Sequence, residues 1–203
     1  MARDIPGRPD APRSSEPPRS AWSAPLAVLV AAAIFGYLAL PYLSRRVSPT
    51  GKLLGSPAPA FSLPVIHGGI SGAEGASRIS LQALAGNVVV LDFWASWCKP
   101  CVAQSRILSE IAPRHASDKV MFVGINTSDN PERAEAFAKS HDLPYPSVLD
   151  DGEVADAYGA QSLPTLVVID PAGRVADVNV GVLGPSELEE AIQAAARQPA
   201  PQL

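Results

Sequence analysis

The chain is poor in cysteine, poor in histidine and without a surplus of positive charge. Two cysteines among 203 residues exclude the small secreted scaffolds that many disulfides hold together. Three histidines, His67, His115 and His141, stand at no ligand spacing. A zinc site, which needs two more ligands beside a cysteine pair, is therefore not expected. The net charge is −4 and the isoelectric point lies near 5.3. A general nucleic-acid binder would show a basic excess, so no nucleic-acid partner is expected. No internal repeat divides the chain.

Charge is also missing from one long stretch. From Ala21 to Ser44 the sequence reads AWSAPLAVLVAAAIFGYLALPYLS, without a charged residue. At ~1.5 Å per residue it can cross a hydrocarbon core of ~30 Å. Trp22 and Tyr42 stand near its edges, where interfacial aromatics gather. The run is apolar all round, unlike a surface helix. It is longer than the core of a signal peptide, and no small-x-small cleavage site follows it. An uncleaved transmembrane anchor over residues 21–44 is the expectation. Arg3, Arg8, Arg13 and Arg19 precede it, against Arg45, Arg46 and Lys52 after it. That small difference favours a cytoplasmic N-terminus.

What surrounds the anchor divides the chain further. Residues 1–20 hold five prolines and little apolar surface, and residues 198–203 resemble them, so both are expected to be disordered. Residues 45–55 read as a linker. Residues 56–197 remain for one domain, large enough to bury a core. It begins extended at residues 57–64, where prolines discourage helix. HGGISGAEG (67–75) reads as a loop or hairpin, and RISLQAL (78–84) as a short strand and turn. NVVVLDFWA (87–95) is apolar throughout and predicts a buried central strand. A helix starts at Cys98, with Pro100 in its first turn and its end or a bend near Pro113. KVMFVGINT (119–127) predicts a second buried strand. Asp129 or Asn130 caps a helix entered at Pro131. A short strand (147–151), a short helix (153–160), a strand pair (165–170 and 174–181) and a helix from Pro185 to about Arg197 complete the order. That pattern predicts an α/β domain, a central mixed sheet with helices on both faces.

The cysteines, Cys98 and Cys101, close too small a loop to staple a fold. Their place does suit chemistry. At a helix start, free N–H groups and the helix dipole favour a thiolate on Cys98. Lys99 adds positive charge. Cys101 shares the face of Cys98 one turn on and can resolve a mixed disulfide. Cys101 is expected to be the more buried of the two.

FWASWCKPC (93–101) resembles the active-site segment of the thioredoxin superfamily. With VGINTSDNPERAEAFAKSHDLPYPSVLDD and VADAYGAQSLPTLVVIDPAGRV, the chain resembles the membrane-anchored TlpA/ResA/DsbE group over about residues 56–197. The resemblance implies a thioredoxin-like fold and no cofactor beyond the redox-active Cys98–Cys101 disulfide. It implies that Pro164 is the family's cis-proline, and that the backbone of Leu163 pairs with a bound substrate chain. Trp97 matches the aromatic flanking the nucleophile. Asp92, six residues before Cys98, matches thioredoxin's buried carboxyl, a proton acceptor for Cys101. Its alternative is a structural polar group held by backbone. Some cytochrome-maturation members carry a carboxylate in or near the cysteine loop. Here Lys99 and Pro100 fill it, which leaves an apocytochrome substrate open.

The expected function is a monomeric, single-pass thiol-disulfide oxidoreductase with its catalytic domain in the periplasm or otherwise outside the cytoplasm. It would reduce protein disulfides, as in cytochrome c maturation or copper-site assembly. Its electrons would come from a membrane thiol-transfer protein, and a tether would hold the domain near that donor. Alternatives are a disulfide oxidant or isomerase, a thiol peroxidase and a Cu(I)-binding chaperone. The peroxidase group carries Thr or Ser three residues before its cysteine, where this chain has Ala95. The copper chaperones space their cysteines one residue wider.

Overall fold

A run with no solvent-facing position sets the architecture. Val88–Trp94 reads VVVLDFW, and every one of its residues is buried. Only a strand flanked by strands and covered on both faces accommodates such a run. The computed structural model describes residues 53–69, 75–115 and 119–198. In chain order its elements are strands β1 (Ser62–His67), β2 (Arg78–Ser80) and β3 (Val88–Trp94), helix α1 (Lys99–Ile111) and strand β4 (Val120–Thr127). Helix α2 (Pro131–Ser140), strand β5 (Ser147–Asp150), helix α3 (Glu153–Ala157), strands β6 (Thr165–Ile169) and β7 (Val175–Val180), and helix α4 (Pro185–Ala196) follow. The anchor at 21–44, the segment 1–20 and most of the linker and tail lie outside the described residues.

The strands form one mixed sheet in the order β2-β1-β5-β4-β3-β6-β7. β3 pairs parallel with β4 and antiparallel with β6, and β4 pairs parallel with β5. Side-chain alternation along β3 divides two cores. Val88, Val90 and Trp94 join Cys101, Leu108, Phe137, Leu188 and others on the face covered by α1, α2 and α4. Val89, Leu91 and Phe93 join Tyr158, Ile79 and Leu84 on the other, under α3. Helices cover both faces, as the sequence pattern predicts, but three of them crowd the face that holds the cysteines.

The start of the domain carries more sheet than the sequence suggests. β1 continues past Pro64 to His67, although proline is rare inside sheets. The reason is a change of partner: Ser62–Pro64 pair with β2, and Val65 and His67 with β5. The N–H that Pro64 lacks falls where no β5 residue faces it. Residues 70–74 of the segment read as a loop or hairpin lie outside the described residues, whereas 78–84, read as strand and turn, form β2 and a 3-10 turn at Leu81–Leu84. Leu53–Pro57 lie against β7, through Gly55 N–H to Val175 O and a bridge between Pro57 and Arg174.

Gly124 in β4 is required by close approach. A Cβ there would stand 2.6 Å from Ser147 Oγ and 2.8 Å from Trp94 Nε1. Two side chains therefore lie directly on the backbone of β4, beneath the cysteine-bearing end of the sheet.

Candidate active site

β3 delivers the chain to the site and α1 takes it away. After Trp94 the backbone turns, with Cys98 N–H donating to Ala95 O at 3.1 Å. Cys98 is the N-cap of α1, in extended conformation, and Pro100 sits in the first turn. Its position there leaves Cys98 Sγ facing the free N–H groups of the helix start. The N–H of Cys101 donates to Cys98 Sγ at 3.2 Å. The two cysteines form a disulfide, with Cα atoms 5.3 Å apart. This sulfur stands in for the thiolate of the reduced protein. Both cysteines are buried, at 4% and 2% exposure, so Cys101 is the more buried by a small margin only. Trp97 is the exposed member of the motif, at 61%.

A loop far away in sequence braces this turn. Ser96 donates its backbone N–H and its hydroxyl to the Asp129 carboxylate, the latter at 2.8 Å. Asn126 Nδ2 and the Asn130 N–H add two more bonds to the same group. Partial burial pushes the Asp129 carboxyl up, but the bonds from Asn126, Ser96 and Asn130 outweigh it and hold it below its ordinary range. Trp97 Nε1 donates to Ser128 O at 3.0 Å, across a backbone at φ 53°. Sequence alone offers Asp129 and Asn130 as rival helix caps. The structure divides the work: Asn130 Oδ1 caps α2 by accepting the Arg133 N–H, and Asp129 holds the cysteine loop.

Asp92 is buried in β3, 4% exposed. Alternation turns it to the face of Val90 and Trp94, which is also the face of Cys101. Its partner is a side chain, not backbone: the Tyr145 O–H donates to Oδ2 at 3.2 Å. Oδ1 has no partner among the described residues. Burial pushes the carboxyl up to about 7, and the Tyr145 bond opposes that rise. Burial and then the neighbouring Asp92 push the Tyr145 phenol well above its ordinary value.

The Leu163–Pro164 bond is cis. Thr165 pairs with Phe93, so Leu163 and Pro164 fall beside the turn after β3. The Leu163 backbone makes no hydrogen bond among the described residues. An open groove of about 480 Å³ runs from there, lined by Trp97, Ser128, Asp151, Asp156, Gln161 and Leu163 among others. Lys99 and Pro100 lie on the first turn of α1, exposed. The turn, the cis-proline segment and the groove thus converge at one end of the sheet.

Residues 54–178 match the model of the AhpC/TSA family. The chain belongs to that family. Within it the relatives are disulfide-exchange proteins with a thioredoxin-like fold. The chain is 34% identical over 137 residues to the thiol-disulfide oxidoreductase ResA of Bacillus subtilis, covering 67% of this chain and 72% of ResA. It superimposes with a TM-score of 0.62 and 28% identity on a thiol:disulfide interchange protein, DsbE, from Chlorobium tepidum. That match covers 70% of this chain and 96% of the other. A secreted thiol-disulfide isomerase from Corynebacterium glutamicum gives a TM-score of 0.59 at 26% identity, covering 68% and 84%. With its cysteine pair, this protein is a thiol-disulfide oxidoreductase of thioredoxin-like fold. The bonds made by Asp129 and Tyr145 escape sequence reading, because Asp129 meets Ser96 from the loop after β4 and Tyr145 meets Asp92 from the loop before β5.

Proposed function

We propose that the protein is a membrane-anchored reductase of protein disulfides that works outside the cytoplasm. The observation that carries the chemistry is the seat of Cys98: its sulfur caps α1 and accepts the Cys101 N–H at 3.2 Å. The same contact favours a thiolate once the pair is reduced. Cys98 attacks a substrate disulfide, forming a mixed disulfide and releasing the substrate's other sulfur as a thiol. Cys101 gives its proton to Asp92 and attacks Cys98 Sγ. The mixed disulfide breaks, the substrate leaves reduced, and two electrons have passed from the dithiol to it. The oxidised pair seen here is the end state of that cycle. Trp97 forms the contact surface beside Cys98, Lys99 and Pro100 tune the pair, and Pro164 places the Leu163 backbone to receive an extended substrate segment.

The uncharged run Ala21–Ser44 supports the anchor, and the secreted Corynebacterium relative supports the compartment. No helix among the described residues is long and apolar enough to cross a membrane. The reading takes apocytochromes c or copper-site proteins as substrates, a membrane dithiol protein as electron donor, and a monomer as the working form. A peroxidase reading gains nothing from the site, where buried Ala95 offers no hydroxyl to hold a peroxide.

The reduction potential of Cys98–Cys101, measured on the full chain in detergent, tests the direction. A value near that of thioredoxin, about −270 mV, or lower supports a reductant fed with electrons. A value nearer about −120 mV makes the protein an oxidant of folding chains and removes the reductase reading.

A further inference from the structure

Asp92 and Tyr145 are 53 residues apart, and strand order alone brings them together. Asp92 of β3 pairs with Gly124 of β4, and Gly124 pairs with Ser147 of β5. In that row across the sheet the middle position has no side chain. Tyr145, two residues before Ser147, lies on the same face. Its ring packs 6.3 Å from that of Phe122 and its hydroxyl reaches Asp92 from the far side of β4.

The two groups form a buried polar pair, with the uncharged Ser147 Oγ and Trp94 Nε1 lying against Gly124 in the same row. Both residues are 4% exposed. The facing residues of β4 and β6 are Gly124 and Leu166, which do not titrate. Helices α2 and α4 bring Phe137 and Leu188 to this core. Helix α1 brings the cysteine pair. Beyond Asp92, Tyr145 and the two cysteines, the titratable groups packed against this core lie at its rim: His141 stacks on Phe137 at 4.0 Å, His115 stands 6.2 Å from Phe122 and bonds Glu189, and His67 bonds the Leu143 carbonyl. A hydrogen bond in a desolvated setting is strong, and its donor stabilises the charged form of the acceptor. A buried carboxyl without such a donor holds its proton through neutral pH and accepts no other.

We propose that Tyr145 is a positioning residue for disulfide exchange: its O–H, donated to Asp92 Oδ2, orients the carboxyl and stabilises the carboxylate that takes the Cys101 proton. The inference rests on the reading of Asp92 as proton acceptor. In the resolving step the S–H bond of Cys101 breaks and its proton goes to Asp92. A bond forms between Cys101 Sγ and Cys98 Sγ, and the bond from Cys98 to the substrate sulfur breaks, the electron pair leaving with the substrate. Tyr145 keeps its own proton throughout, since burial and Asp92 both oppose its ionisation.

The test is the pH profile of resolution. The full chain in detergent, charged at Cys98 with thionitrobenzoate, releases the chromophore when Cys101 attacks. Tyr145→Phe is expected to move the rising limb to higher pH by about one pH unit, and to slow release about fivefold at pH 7. A carbon-13 NMR titration of the Asp92 carboxyl in the cysteine-oxidised protein is expected to move the same way. Replacement of Tyr145 by 3-fluorotyrosine, a stronger donor of nearly the same shape, is expected to move both to lower pH. A purely structural tyrosine would change the melting temperature and leave both titrations in place. That result overturns the proposal. In Asp92→Asn the profile is expected to lose this limb, and adding Tyr145→Phe to change nothing more. If Asp92→Asn keeps the wild-type limb, the proton-acceptor reading itself falls and takes this inference with it. If that limb is lost but Tyr145→Phe leaves the profile unmoved, only the role of Tyr145 falls.

Discussion

Asp92 is held between burial, which favours its neutral form, and the Tyr145 hydrogen bond, which favours its charge, the form the proposed exchange step needs. The conflict has a sign that stability measurements can read. Its carboxyl is pushed up to about 7, so between pH 4 and 7 the folded chain holds a proton that the unfolded chain has lost. Stability contributed by this group is therefore fully present at the acid end and declines as pH rises through about 7. The full swing is on the order of 4 kcal/mol. Asp92→Asn cannot ionise, so its denaturation midpoint in urea should exceed that of the native chain at pH 8. The gain should shrink towards pH 4, where the native carboxyl is neutral too. An equal difference at both pH values would mean that Asp92 is not the titrating group.

Helix α3 is the shortest α-helix among the described residues and walls the groove beside Trp97. It has five residues, and its N-cap, Gly152, has no side chain to offer. The cap comes from the preceding strand. Asp150 Oδ1 accepts the Val154 N–H and Oδ2 the Ala155 N–H, both at 3.0 Å. An isolated helix this short would not persist. Asp150→Ala should cost about 2 kcal/mol of stability. Amide exchange should accelerate over Glu153–Ala157, and KM for a protein disulfide should rise. The reduction potential should stay in place, because Cys98 and its cap belong to α1. A shifted potential with an unchanged KM would place the role of Asp150 elsewhere.

The whole molecule is expected to work as a tethered domain whose reactive end gathers parts from three strand ends and one helix. In cells, Cys101→Ser should accumulate mixed disulfides that run as new bands without reductant. These should disappear when Cys98→Ala is added. Both the adducts and the free chain should sediment with membranes and resist carbonate extraction, and deletion of residues 1–44 should release them. Adducts confined to soluble cytoplasmic proteins would contradict an extracytoplasmic domain.

Much of this was legible along the chain, wherever a neighbour in sequence decides the outcome. The unbroken apolar run 88–94 makes a central strand because no other element can bury every residue. Cys98 and Pro100 mark a helix start, since the cap and first turn need only local geometry. The cysteine spacing, the SLPT segment and Trp97 mark the sheet end that carries the disulfide, the cis bond and the groove, and the helices from Pro131 and Pro185 begin where expected. Tertiary structure decided what depends on strand order. Pro64 lies inside β1 because that strand changes partner there. Asp129 braces Ser96 from 33 residues away, and Asn130 was left to cap the helix. Tyr145 found Asp92 because β4 stands between β3 and β5 and carries a glycine in the row that joins them. Periodicity and capping act over a few residues, whereas hydrogen bonds between buried side chains form wherever folding places donor beside acceptor.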